Sequence, residues 1–133
     1  MMKSLFKNIS KKSFCTRYAQ THEWVKKIGG NKVRMGISDH AKSELGEVVY
    51  VDLDVKQVGD EVNASEEVCQ LESVKAAAAA YTPVTGKLIN KNENALEGIN
   101  ESPEDKGWLW ELEMTSEDEF KALMTKEDYL KSI

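Results

Sequence analysis

Among its 133 residues the sequence has only two cysteines, Cys15 and Cys69, two histidines, His22 and His40, and two prolines. Cysteines this few and this far apart imply no disulfide framework, and no pair among these four residues has metal-ligand spacing, so we expect no metal site. Long apolar runs are missing as well. The longest purely apolar stretch, Ala76 to Ala80, is far below the roughly 20 residues of a membrane-spanning helix. Acid is absent from the first 22 residues, which carry Lys3, Lys7, Lys11, Lys12 and Arg17. Beyond them 13 basic residues face all 23 acidic ones, a balance of -10. Such a surface repels phosphate backbones, because nucleic-acid affinity depends on cationic neutralisation and counterion release, and nucleic-acid binding is excluded. What is present is a hydrophobic fraction of 41% beside a charged fraction of 31%, enough to close the core of one small domain.

The leading stretch MMKSLFKNISKKSFCTRYAQ mixes Lys and Arg with Ser4, Ser10 and Ser13 and the apolar Leu5, Phe6, Ile9 and Phe14. That is the composition of an organellar transit peptide, without the continuous apolar centre of a secretory signal. We expect residues 1–17 to be such a leader and residues 18–133 to fold; a basic disordered arm is the plainer alternative. Cys69 sits in an apolar run and reads as an inert core thiol.

From Tyr18 the pattern is that of short strands. Glu23 to Lys27 and Lys32 to Ile37 flank Gly29-Gly30-Asn31, a hairpin signal. Ser38 and Gly46 frame a two-turn helix from Asp39 to Leu45 as cap and stop. Period-two alternation follows in Glu47 to Leu53, Glu67 to Val74 and Trp108 to Met114. The last of these should turn Trp108, Trp110, Leu112 and Met114 inward. Val58-Gly59-Asp60, Pro83 to Gly86 and the polar run Asn90 to Lys106 read as turn material. Many short strands with frequent turns indicate a small barrel or sandwich. Near the C-terminus Ser116-Glu117-Asp118-Glu119 has the spacing of a capping box, and Thr125 to Asp128 starts a second short helix.

One segment is odd by local rules. Glu72-Ser73-Val74-Lys75 runs into five alanines and Tyr81, with none of the Gly, Asn or Asp usual in a turn. Alanine is the best helix former. Nine residues nevertheless fall short of the roughly 12 to 15 at which isolated helices hold, so a tight strand connection presenting Lys75 competes with a helix.

Here the residues carry a resemblance. Leu71-Glu72-Ser73-Val74-Lys75-Ala76 resembles the lipoylation motif of the glycine cleavage system H proteins. Thr21-His22-Glu23-Trp24-Val25, Gly36 to Ala41, Leu45 to Leu53, Pro83 to Gly86 and Gly107-Trp108 resemble further signatures of that family, in the same order. Biotin carriers differ by methionines on both sides of the lysine, and lipoyl domains of 2-oxoacid dehydrogenases by an acid directly before it.

The resemblance implies a mainly β fold, a flattened antiparallel barrel or sandwich of the lipoyl-domain type (a barrel-sandwich hybrid) with short flanking helices. It implies lipoic acid bound covalently to Lys75 at a hairpin tip, with Glu72, Ser73, Val74 and Ala76 read by a lipoyl or octanoyl transferase or a lipoate ligase. The chain would then be no enzyme but a carrier in the mitochondrial matrix. Its partners would be a pyridoxal-phosphate glycine decarboxylase, a tetrahydrofolate-dependent aminomethyltransferase and dihydrolipoamide dehydrogenase. Glu23 and Thr21 match residues lining a cleft for the loaded arm. Ala78-Ala79 stand where the family often has Ser-Asp, Glu44 where some members have a histidine, and Glu104 where a tyrosine is common. Two other readings compete: a relay that hands lipoyl groups to other proteins, and a binding module that never acquires the arm.

Overall fold

The structure is a computed structural model and describes residues 16–133. In chain order its elements are β1 (Thr16–Tyr18), β2 (Glu23–Gly29), β3 (Lys32–Ile37), α1 (Asp39–Leu45), β4 (Val48–Asp52), β5 (Glu61–Val62) and β6 (Glu67–Ser73). There follow β7 (Ala77–Tyr81), β8 (Gly86–Lys91), α2 (Ala95–Glu101), β9 (Trp110–Met114), α3 (Glu117–Lys121), β10 (Met124–Thr125) and α4 (Lys126–Ser132). β1 takes in Thr16 and Arg17, which the composition assigned to a leader; the rest of that segment, residues 1–15, lies outside the described residues.

The strands form two antiparallel sheets, one in the order β10-β1-β2-β3-β9-β8-β5 and one in the order β4-β6-β7. A single apolar cluster joins them, built from Val25, Val33 and Met35 of the large sheet, Val48, Val68, Cys69 and Leu71 of the small one, and Ile99 of α2. Trp110 pins the sheets together, its indole N–H donating to the Val68 carbonyl at 2.7 Å across the core. A buried donor left unpaired would cost ~1–3 kcal/mol, so this bond fixes the spacing as well as filling it. A smaller cluster of Tyr18, Trp24 and Tyr129 secures α4, with the Tyr18 and Tyr129 rings stacked 4.5 Å apart.

The alanine segment is a strand and not a helix. Ala77 to Ala80 pair with Glu72, Leu71, Gln70 and Cys69 of β6, and tertiary pairing overrides helix propensity. Strict alternation fails at two places. Val49 is an extra residue between the pairs Val48↔Ser73 and Tyr50↔Glu72, and a register shift in β6 lets both Val68 and Cys69 point inward. Burial pushes the Cys69 thiol up to about 12, in keeping with an unreactive core residue.

Other expectations are corrected. The run Asn90 to Lys106 is not all turn, since it ends β8 and contains α2, whose Ala95, Gly98 and Ile99 are buried. Trp108 lies before β9 rather than in it. It is half-buried, with the Arg34 guanidinium 4.7 Å above its ring. The capping box does not form, for Ser116 makes no side-chain cap bond. Glu119 instead accepts the Thr85 N–H and hydroxyl, both at 2.8 Å, tying α3 to the turn before β8.

Candidate functional site

Three residues, Val74-Lys75-Ala76, connect β6 to β7, and all three are exposed. Serine replaces the glycine or asparagine that such a turn usually needs. The Ser73 hydroxyl oxygen accepts the Lys75 N–H at 3.1 Å and the Ala76 N–H at 3.0 Å and donates to the Ala76 carbonyl at 3.2 Å, while the Ser73 N–H reaches the same carbonyl at 2.8 Å. These are the bonds of a side chain standing in for backbone. The Val74 N–H donates to the Glu47 carbonyl at 3.1 Å, so the turn is also tied to the chain entering β4. Glu47 is held in place in turn. Asn100 of α2 accepts the Val48 N–H at 3.0 Å and donates to the Val48 carbonyl at 2.8 Å, completing the β4 edge as a neighbouring strand would.

Lys75 therefore projects from a turn whose backbone is fixed on both sides. Its stem passes close to Gly46, the residue that stops α1 with φ +78°. A Cβ there would lie 3.2 Å from Lys75 Cε. Glycine is favoured here by the positive φ; the lysine stem, exposed and flexible, can shift by the few tenths of an ångström a Cβ would need. The sequence identified Gly46 as a helix stop and gave no sign that Lys75 passes beside it.

Glu72, Ser73, Val74 and Ala76 surround the lysine as expected, but they differ in availability. Glu72 points outward from β6 and Val74 is 67% exposed, whereas the Ser73 hydroxyl is already committed to the turn. Ala79 pairs with Gln70 and borders a shallow groove of about 340 Å³ with Tyr50, Glu72 and Ala77, so no carboxylate stands on this stretch of β7.

Glu23 and Thr21 lie elsewhere, at the other end of β7. Glu23 is 2% exposed, which rules out a solvated strand glutamate beside Trp24. One carboxylate oxygen accepts the Thr21 hydroxyl and the other accepts the Tyr81 N–H at 3.0 Å. Burial raises the Glu23 pKa, and the Thr21 hydroxyl and Tyr81 N–H pull it back down. From Ala77 to Tyr81 is four residues of strand, roughly 13 Å, so the pair lies about one strand length from the lysine-bearing turn. Beside it the Tyr129 hydroxyl meets His22 Nδ1 and Ser38 Oγ, each at 2.7 Å, which closes the loop after β1 under α4. Glu104 accepts from the Tyr18 hydroxyl and the Asp39 N–H; at this position the acid supplies an anchor for α1. Among the described residues no group of three or more His, Cys, Asp or Glu side chains is placed to hold a metal ion.

The family profile described as "Glycine cleavage H-protein" matches residues 16–133, the whole of the described chain. The chain belongs to the glycine cleavage H-protein family. It is 38% identical over 125 residues to a protein of Dictyostelium discoideum named probable glycine cleavage system H protein 1, mitochondrial, covering 92% of this chain and 84% of that one. It is 44% identical over 116 residues to the glycine cleavage system H protein of Thermotoga maritima, covering 85% and 91%. In structure it is similar to the glycine cleavage system H protein of Mycobacterium marinum, with a TM-score of 0.76, 29% identity and coverage of 90% and 96%. The mainly β two-sheet architecture with short helices is that of this family.

Proposed function

We propose that this chain is the lipoyl-bearing carrier of a glycine cleavage system and that Lys75 is the residue acylated. The observation that carries the reading is an exposed lysine at the apex of a hairpin turn fixed by Ser73 and Glu47, in a chain of this family. Members of the family hold a lipoyl group on a lysine and serve as carriers rather than enzymes. The residues present suit that group. The turn is three residues long, its Ala76 and the following Ala77 are small and exposed, and the Lys75 side chain is itself exposed beside Gly46.

Acylation by a ligase route needs the Lys75 amine to lose a proton and attack the carbonyl carbon of lipoyl-adenylate. A C–N amide bond forms, the C–O bond to the phosphate breaks and AMP leaves. The product has no charge at Nζ. Once attached, the group supplies an exchange-capable disulfide at the end of a long arm. Everything else the chain does is positional: a fixed turn limits where the tether starts and so raises the effective concentration of its far end in any active site within reach. Glu23 and Thr21 are the proposed resting place of the loaded arm. A carboxylate has about four lone-pair sites, and the Thr21 hydroxyl and Tyr81 N–H leave lone-pair capacity for a cationic nitrogen. The proposed partners are a glycine decarboxylase, an aminomethyltransferase, dihydrolipoamide dehydrogenase and a lipoyl-attaching enzyme, with the mitochondrial matrix as the location, as the name of the Dictyostelium relative suggests.

Intact-mass analysis of the protein isolated from its own cells tests the assignment. An added lipoyl mass mapping to Lys75 is expected, together with reduction of that arm by glycine decarboxylase and glycine. An unmodified chain, or the mass on another lysine, overturns it.

A further inference from the structure

Beside the Lys75 turn, β4 departs from regular alternation. The bulge at Val49 turns two consecutive apolar side chains to solvent, Val49 at 48% exposure and Tyr50 at 52%, where an unbroken strand would bury one of them. Leu96 on α2 is 42% exposed and lines, with Val49, a groove of about 560 Å³ between β4 and α2. A second groove, of about 340 Å³, continues past Tyr50 over β6 and β7. The charged lining of the first is Glu47, Glu93 and Glu97 and that of the second Glu67 and Glu72, with no basic residue in either. Among the described residues none of these five glutamates is in an ion pair. Apolar side chains gathered at a surface and rimmed by unpaired charge of one sign have the layout of a protein interface.

We propose that this face is the docking surface of the enzyme that acylates Lys75, and that the enzyme meets it with an apolar side chain ringed by lysine and arginine. The proposal rests on Lys75 being the acylated residue. Before modification the lysine has no arm, so the acylating enzyme must close on the turn itself and cover what flanks it; enzymes that read the finished arm work from further away. The bulge at Val49, Glu47 and Glu72 lie at that end of the small sheet, and the second groove runs from there along β6 to Glu67, which pairs with Tyr81 at the far end. Charge complementarity speeds encounter and fixes orientation, and the apolar contact holds the complex.

The test uses the full chain, a lipoate–protein ligase, ATP and lipoate, with initial rates read as intact mass. The double variant Leu96→Ser, Glu97→Lys changes two exposed side chains of α2 outside the lipoylation motif, and Leu130→Ser, at an exposed leucine on α4, is the control. We expect the apparent KM of the double variant to rise about tenfold with kcat within about twofold, and the control to match wild type. A second measurement needs no variant: the wild-type rate at low substrate should fall as NaCl rises from about 50 to about 300 mM. An unchanged KM in the double variant, or a wild-type rate indifferent to salt, overturns the docking surface. Wild-type chain that gains no mass at Lys75 overturns the attachment site instead, so the two failures are told apart.

Discussion

The Glu23 carboxylate, buried at the start of β2, accepts the Tyr81 backbone N–H at 3.0 Å and so bolts the last residue of β7 to the large sheet. β7 is an edge strand, and its other end begins at the lysine-bearing turn. One side chain thereby fixes the hairpin at the end opposite its apex.

Glu23→Ala should cost about 1–2 kcal/mol in urea unfolding, because the partly buried bonds from the Tyr81 N–H and the Thr21 hydroxyl lose their acceptor. Glu23→Gln keeps an acceptor for Tyr81 and a donor for Thr21, and it should cost far less. The two variants also differ from wild type in pH response. An acid whose pKa is raised by folding holds its proton more tightly in the fold, so its stabilisation is complete below about pH 4.5 and is lost as pH rises through the raised value. Wild type should therefore lose stability relative to Glu23→Gln as pH rises above about 4.5. A constant difference between them across that range would show that Glu23 does not titrate there.

Lys75→Arg should abolish modification and leave the melting temperature within about 1 °C of wild type. The side chain is exposed, the charge is kept, and surface substitutions of this kind fall within about 0.5 kcal/mol. Mass spectrometry and a thermal melt on one sample are sufficient. A large drop in melting temperature would mean the lysine stem is part of the packing.

Ser73→Ala removes the acceptor of two turn N–H groups and the hydroxyl donor to Ala76. About 1 kcal/mol of stability should go, and amide exchange at Lys75 and Ala76 should quicken. Acylation should slow through a lower kcat, since the lysine is no longer held. Ser73→Thr, which keeps the hydroxyl, should restore both. If Thr restores exchange protection and leaves acylation slow, Ser73 is read directly by the enzyme.

Much of this was legible in the sequence wherever one local rule governed. The β2–β3 hairpin follows from its glycine-rich turn, and Ser38 caps α1 through the Ala41 N–H as its position before a polar two-turn segment requires. The motif implies a hairpin tip at Lys75, and the structure puts that residue in the exposed turn between β6 and β7; local propensity alone leaves the alanines open between strand and helix. What was hidden depends on partners distant in sequence. Nothing near Glu23 indicates that Tyr81, 58 residues on, needs an acceptor. Nothing near Asn100 indicates that it completes the edge at Val48. Polar composition concealed α2, because its buried face is made of Ala95, Gly98 and Ile99 alone.

The C-terminal region separates a sequence rule from the contact that replaced it. Ser116→Ala should be nearly neutral, since its hydroxyl caps nothing. Glu119→Ala should cost about 1–2 kcal/mol, because the Thr85 N–H and hydroxyl are both left without their acceptor. Equal effects in thermal melts would restore the capping box.

Gly98→Ala should be the most damaging small change away from the core strands. A Cβ at Gly98 would sit 2.1 Å from the Lys106 carbonyl oxygen and 2.9 Å from the Gly107 nitrogen, both backbone, so neither can rotate aside. Either the loop from Ser102 to Gly107 or α2 must move, and overpacking of this kind costs about 1–3 kcal/mol or more. If α2 moves, Asn100 leaves the β4 edge and Glu47 loses the register that holds Val74. Amide exchange should then rise at Val48 and Val74 before it rises in β2 or β3, and acylation of Lys75 should slow at temperatures where the chain is still folded. Exchange that rises evenly over all strands would show that α2 stabilises the domain without steering the turn.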